Sequence, residues 1–132
     1  MRIQVLYLDK LKFDAEKNLA NKYLERIKSS GRKVIDPIHL KQINLKELDQ
    51  ELGSGSFNIL LDEKGEKLTT AKFTELIFES SNKRINFFIG NTDGFTEIMK
   101  KKANLLLSIS PMTLTHSFAT IMLLEQLYRA IT

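Results

Sequence analysis

The chain has 132 residues, 42% of them apolar and 27% charged, with two histidines, no cysteine and a net charge of +4. That balance fits one globular domain over residues 1–132 and excludes a disordered chain; lacking thiols, it also excludes disulfides, thiolate zinc sites and cysteine nucleophiles. No run approaches the roughly 18 apolar residues of a spanning helix, and Met1-Arg2-Ile3-Gln4 lacks a signal-peptide layout, so a cytoplasmic protein without membrane contact is expected. Two histidines are too few for an ordinary His-rich metal site, and the positive charge favours an anionic partner such as RNA.

In chain order, residues 2–8 cluster Ile3, Val5, Leu6, Tyr7 and Leu8 and predict a mostly buried strand. Asp14 is the expected N-cap of a helix whose inner stripe is Ala20, Tyr23, Leu24 and Ile27, with Ser29-Ser30-Gly31 as its stop. Residues 33–40 predict a second strand, placed at an edge or made irregular by Pro37. A short helix over 45–52 is followed by the turn Gly53-Ser54-Gly55-Ser56. That turn is no phosphate cradle, because no helix follows it and no Gly-Lys-Ser/Thr sequence is present.

The continuous apolar run 57–61, ending at Asp62, has the character of a central parallel strand. Thr69 or Thr70 caps the next helix, with Phe73, Leu76 and Ile77 inward and Ser80-Ser81-Asn82 at its end. Residues 85–89 predict another buried strand, stopping in Gly90-Asn91-Thr92-Asp93-Gly94. A short helix around 95–102, a strand at 105–107 and a long helix from about Thr115 complete the pattern. The last helix is apolar over a broad stripe of Phe118, Ile121, Met122, Leu124, Leu127, Tyr128 and Ile131, widened by Leu123 and Ala130, which suits a core helix that also forms a dimer face.

Strands alternating with helices imply an open parallel sheet, whose ligands bind beyond the carboxyl ends of the strands. Three loops are therefore candidates: residues 61–65, 90–94 and 108–114. Glycines in the second let backbone approach a ligand, although a plain strand-to-helix turn needs the same residues. The third, from Ser108 to Leu114, keeps apolar side chains in a non-periodic stretch, suited either to packing an adenine ring or to burial beneath the last helix. His116 falls in the first turn of that helix, where the dipole favours an uncharged imidazole able to accept a proton or orient a base; the alternative is a hydrogen bond to nearby backbone. His39, in the second strand, is read as structural. Lys10, Lys12, Arg32, Lys33, Lys41 and the Lys100-Lys101-Lys102 run are candidate phosphate contacts, or simply a solvated face.

Four separated stretches occur in the order and spacing of one family: Leu60-Leu61-Asp62-Glu63-Lys64-Gly65; Phe88-Ile89-Gly90 with Gly94; Leu107-Ser108-Ile109-Ser110-Pro111-Met112-Thr113-Leu114-Thr115-His116; and Leu124-Glu125-Gln126-Leu127-Tyr128-Arg129-Ala130. Over essentially its whole length the chain resembles the RlmH-type methyltransferases of the SPOUT class. The resemblance implies an α/β fold with a parallel sheet and a C-terminal trefoil knot spanning approximately residues 57–132, an exception to the rule against threaded chains. It further implies S-adenosylmethionine bound in the knot, a homodimer, and methyl transfer to N3 of a pseudouridine in 23S rRNA within the ribosome. By position, Leu61, Gly90, Ile109, Ser110, Pro111, Met112, Thr113 and Leu114 would line the cofactor pocket, and His116 would be the catalytic residue facing the base.

Three features depart from the family pattern. Asn91 replaces a usual glycine, Ala119-Thr120 stands where relatives commonly carry an arginine, and the sequence ends at Thr132, before the tail with a Tyr-His pair that generally completes the active site. They make a catalytically impaired relative, acting as a ribosome- or RNA-binding module, the second reading. A flavodoxin-like domain for a flavin or nucleotide is the third, carried only by the alternation of strands and helices.

Overall fold

The central strands are built from runs whose alternate side chains are buried on opposite faces, which requires cover on both sides of the sheet. The computed structural model describes residues 1–30, 36–79 and 83–132. Its elements are β1 (Arg2–Tyr7), α1 (Asp14–Lys28), β2 (His39–Gln42), α2 (Leu45–Leu52), β3 (Phe57–Lys67), α3 (Thr70–Phe78), β4 (Arg84–Ile89), α4 (Glu97–Lys102), β5 (Leu105–Ser108) and α5 (His116–Ile131). The five strands pair in the order β2-β1-β4-β3-β5, and every pairing is parallel. The expected parallel α/β architecture is therefore observed.

Several boundaries differ from the sequence reading. Asp14 is the first helical residue of α1 rather than its cap; Phe13 takes the cap position and its N–H is bonded by the Glu16 carboxylate. A phenyl ring accepts no amide hydrogen bond, so only the reciprocal half of a capping box operates there. The second strand starts at His39, with 36–38 outside it, and lies at the sheet edge beside β1, where Pro37 does not interrupt a ladder. Residues 31–35 and the Ser80-Ser81-Asn82 stop lie outside the described residues. Thr69, not Thr70, caps α3, its hydroxyl accepting from Lys72 N–H. Thr115 caps α5 in the same way through Phe118 N–H.

The larger correction concerns β3, which does not end at Asp62 but runs to Lys67. Leu61 and Glu66 are both opposite Leu107, so residues 62–65 bulge out of the ladder before the strand resumes. Gly65 makes this return possible. A Cβ there would lie 2.6 Å from the carbonyl carbon and oxygen of Leu106, a backbone that cannot turn aside.

One face of the sheet carries Ile3, Val5, Ile59, Ile85, Phe87, Ile89 and Leu107, packed with buried residues of α1, α3 and α5. The other carries Leu6, Leu60 and Phe88 beneath Leu48 and Leu52 of α2 and Phe95. On α5 the buried stripe is Thr120, Ile121, Leu123, Leu124, Leu127, Ala130 and Ile131, whereas Phe118 is 56% exposed. Phe118 and Met122 therefore leave the broad inner stripe read from the sequence and stand on its outer side.

A polar row lies within the second face. Gln4 Nε2 donates to Asn86 Oδ1 at 3.0 Å, and Asn86 Nδ2 donates to Asn58 Oδ1 at 3.2 Å, across three strands paired at those positions. Asn58 Nδ2 donates onward to the Leu52 carbonyl. All three amides are buried, so each depends on its neighbour for hydrogen bonding. Asn86→Ala should strand both neighbours and lower unfolding stability by about 2–4 kcal/mol, read as a lower urea midpoint. Gly65→Ala should lower it by about 1–3 kcal/mol through overpacking, with Gly53→Ala, which meets nothing closer than 3.6 Å, far milder.

Candidate functional site

Because all strands run the same way, the segments leaving β1, β4 and β5 and the bulge in β3 emerge at one end of the sheet. Tyr7 is in register with Ile89, and Leu60 with both Phe88 and Leu106, so these exits stand at one level. Side-chain contacts there link the β3 bulge to the segment after β5, and α5 to the connection after β1.

Asp62, first residue of the bulge, has its side chain only 12% exposed, and its carboxylate lies 3.0 Å from Lys100 Nζ of α4. Its other oxygen accepts from Lys64 N–H at 3.0 Å, closing a short Asx turn. The backbone donor at Lys64, reinforced by the Lys100 ammonium, holds the Asp62 carboxyl below the usual aspartate range despite opposing desolvation. Lys100 is raised above its ordinary value by the hydrogen bond and charge of Asp62, with Glu97 adding a weaker contribution. On the other side of the bulge, Glu63 Oε2 accepts from Thr113 Oγ1 at 2.5 Å, linking it to the segment between β5 and α5.

That segment contains Ile109, Ser110, Pro111, Met112, Thr113 and Leu114. Ile109, Ser110 and Leu114 are half-buried, while Pro111, Met112 and Thr113 are exposed, Met112 to 74%. Ser108 Oγ donates to the Ser110 carbonyl and Ser110 Oγ accepts from Met112 N–H, giving the apolar segment a defined turn. Leu61, at the mouth of the bulge, is half-buried against the main core.

Gly90 follows β4, and the Phe95 ring folds back so closely that a Cβ on Gly90 would lie 3.2 Å from it. Asn91, where the resemblance expects glycine, has an ordinary negative φ; its side chain accepts from Asp93 N–H and its carbonyl from Gly94 N–H. The substitution thus occupies a turn that glycine does not uniquely satisfy. Positive φ falls instead on Gly94, at 73°.

His116 opens α5, with Nε2 3.2 Å from the Lys10 carbonyl oxygen. A carbonyl only accepts, so this bond requires the proton on Nε2 and leaves Nδ1 as the acceptor of a neutral ring. The backbone-bonding alternative weighed from sequence is therefore present, and it anchors the β1–α1 connection to the site. His39 is exposed on β2, in register with Gln4 and remote from the strand exits. A shallow groove lined by Phe57, Glu66, Leu68, Lys72, Glu75, Leu76, Asn104 and Leu105 shares no residue with the candidate site. We assign it no part in the chemistry, because it holds neither Gly90, His116 nor the 109–114 segment.

The basic candidates separate clearly. Lys100 is committed to Asp62, Lys102 to Asp49 and Lys41 to Glu47, whereas Lys10, Lys12 and Lys101 form no ion pair with a described residue. Arg32 and Lys33 lie outside the described residues. Sequence reasoning missed the Asp62–Lys100 and Glu63–Thr113 contacts, which join positions 38 and 50 residues apart and carry no local periodic signal.

The family model described as "Predicted SPOUT methyltransferase" matches residues 1–132. The ribosomal RNA large subunit methyltransferase H of Dictyoglomus thermophilum is 36% identical over 99% of this chain and 94% of its own length. Its namesake in Malacoplasma penetrans is 34% identical, over 98% and 93% respectively. The crystal structure of the SpoU methyltransferase AviRb from Streptomyces viridochromogenes, in complex with the cofactor AdoMet, shares the fold with a TM-score of 0.50 at 13% identity, over 97% of this chain and 57% of that one. The chain belongs to the SPOUT methyltransferase family and, within it, to the group of relatives named ribosomal RNA large subunit methyltransferase H.

The ion pair gives the site a pH signature. Asp62, with its folded-state value depressed, contributes stability above the ordinary aspartate range and loses it as pH falls through and below that range. Lys100, with its value raised, contributes up to the ordinary lysine range and loses its share as pH rises beyond it. The stability difference between wild type and Asp62→Asn, from urea midpoints, should be flat near neutrality and shrink between about pH 5 and pH 3.

Proposed function

We propose that this chain is a 23S rRNA methyltransferase that transfers a methyl group from S-adenosylmethionine to N3 of a pseudouridine in the large ribosomal subunit. The observation that carries this reading is the near end-to-end similarity to methyltransferase H, combined with three strand exits joined at one end of the sheet. Half-buried Leu61, Ile109 and Leu114 offer an apolar lining, and Gly90 contributes no side chain to obstruct it. With the exposed turn from Ser110 to Thr113, these residues suit an adenosine moiety held by packing and main-chain hydrogen bonds.

When bound, the cofactor supplies a methyl group on a positively charged sulfur that departs as a neutral thioether. The chain's task is to hold the target base in line with that methyl and to receive or relay the imide proton released from N3. His116 is the residue assigned to the proton, its Nδ1 being the free acceptor once Nε2 bonds the Lys10 carbonyl. Positioning supplies the larger share of the rate, because general-base assistance is typically worth about 10²–10⁴-fold and alignment more.

The proposal includes a single domain over residues 1–132, with the cofactor region at 57–132 folded as the family's trefoil knot. Its support is that α5 leaves the outer strand β5 yet packs on α1 and α3, so the chain returns across the ends of its neighbours. It also includes a homodimer: α1 and α5 lie together and expose Leu19, Phe118 and Met122, apolar side chains suited to a second copy. Lys10, whose backbone carbonyl bonds His116, and Lys12, two positions on, have no ion-pair partners among the described residues and are the cations we assign to phosphate of the ribosomal substrate. The protein would act in the cytoplasm, where its substrate is assembled; among the described residues no helix is long and apolar enough to cross a membrane.

Purified protein incubated with ribosomes lacking the modification and with radiolabelled S-adenosylmethionine should place label on one large-subunit pseudouridine. His116→Ala should lower the rate by about 10²-fold or more while leaving cofactor affinity within a few-fold. Cofactor binding without label in any ribosomal RNA would instead favour the impaired relative.

A further inference from the structure

The bulge at 62–65 is fixed at both ends before it meets the rest of the site. Asp62 is held by Lys100 and by its own turn, and Gly65 lies against the β5 backbone with no room for a side chain. Glu63, between these anchors, is therefore a post with little freedom to move. Among the described residues its carboxylate meets one partner, the hydroxyl of Thr113, fifty positions along the chain. Thr113 belongs to the segment proposed above to hold the cofactor, and Leu61, two residues before Glu63, belongs to the same proposed lining.

Both side chains are exposed, so their contact contributes little to global stability; exposed polar pairs are typically worth about 0–1 kcal/mol. The 109–114 segment is also held where Ser108 pairs with Lys67 and where Ile109 packs on the main core, and its exposed turn is shaped by bonds from Ser108 to Ser110 and from Met112 to Ser110. None of these contacts ties the exposed turn to the β3 bulge. The Glu63–Thr113 hydrogen bond does so.

We propose that Glu63 is a positioning residue: through Thr113 it sets the spacing between the β3 bulge and the 109–114 segment, and so preorganises the S-adenosylmethionine pocket without touching the cofactor. The inference rests on the functional reading above. It predicts an effect on cofactor affinity out of proportion to any effect on folding, since an untethered wall must be ordered anew at each binding event.

The test is a double-mutant cycle on the full chain, with S-adenosylmethionine affinity measured by titration calorimetry and thermal midpoints alongside. Glu63→Ala and Thr113→Val should each weaken binding about 5- to 10-fold, and the double variant should be little worse than the more damaging single one. Thr113→Ser, which keeps the hydroxyl, should restore affinity, and thermal midpoints should stay within about 2 °C. In parallel, amide hydrogen exchange over 109–114 without cofactor should quicken in Glu63→Ala but remain near wild type in Thr113→Ser. Independent, multiplicative losses in the cycle, or unchanged exchange in Glu63→Ala, would overturn the proposal. Should the wild type bind no S-adenosylmethionine, the functional reading and this pocket assignment fail together, while faster exchange in Glu63→Ala would still identify Glu63 as the tether of the segment.

Discussion

Parallel pairing is the constraint from which the rest of this molecule follows. A parallel neighbour cannot be reached by a tight turn, so each strand must pass its chain back along the sheet before the next begins. The helices are those return paths, and the strand exits they leave collect at one end. Any chemistry requiring residues distant in sequence is most readily assembled there. Leu61, Gly90, His116 and the 109–114 segment meet that description for topological reasons before any specific contact is considered.

The specific contacts then fix what topology only brings near. Asp62–Lys100 joins the β3 bulge to α4, Glu63–Thr113 joins it to the approach of α5, and His116–Lys10 joins α5 to the β1–α1 connection. Together they link four connections that share no local sequence. In the first, the Asp62 side chain is only 12% exposed, so it is the contact of the three that bulk solvent screens least.

Much of this was legible in the sequence, because hydrophobic periodicity reports on contacts within one element. The run from Phe57, the stripe of Phe73 and Ile77, the helix over 45–52, a threonine cap at 69 or 70 and a long helix from about Thr115 are all local signals, and the structure has each of them. The misreadings have physical causes. Polar residues after Leu61 resemble a strand end, yet Gly65 lets β3 rejoin the ladder through a close backbone approach that no side-chain pattern encodes. Phe118 and Met122 are as apolar as their buried neighbours, so composition alone could not place them on the outer side of α5. At the candidate site, the glycine loop and apolar segment were visible as motifs, whereas the pairings that join the β3 bulge to α4 and to the apolar segment span 38 and 50 residues.

The buried amides of Gln4, Asn86 and Asn58 bear on how the central strands find their alignment. Apolar side chains offer little discrimination between neighbouring registers: moving β4 by two residues along β1 would still place aliphatic and aromatic groups against one another. It would also bring Phe88 opposite both Gln4 and Asn58, leaving carboxamides enclosed without partners. The row thus acts as a proofreading mark on strand assembly. It sacrifices some apolar contact beneath α2 and, in return, makes one alignment of three parallel strands distinguishable from its near misses.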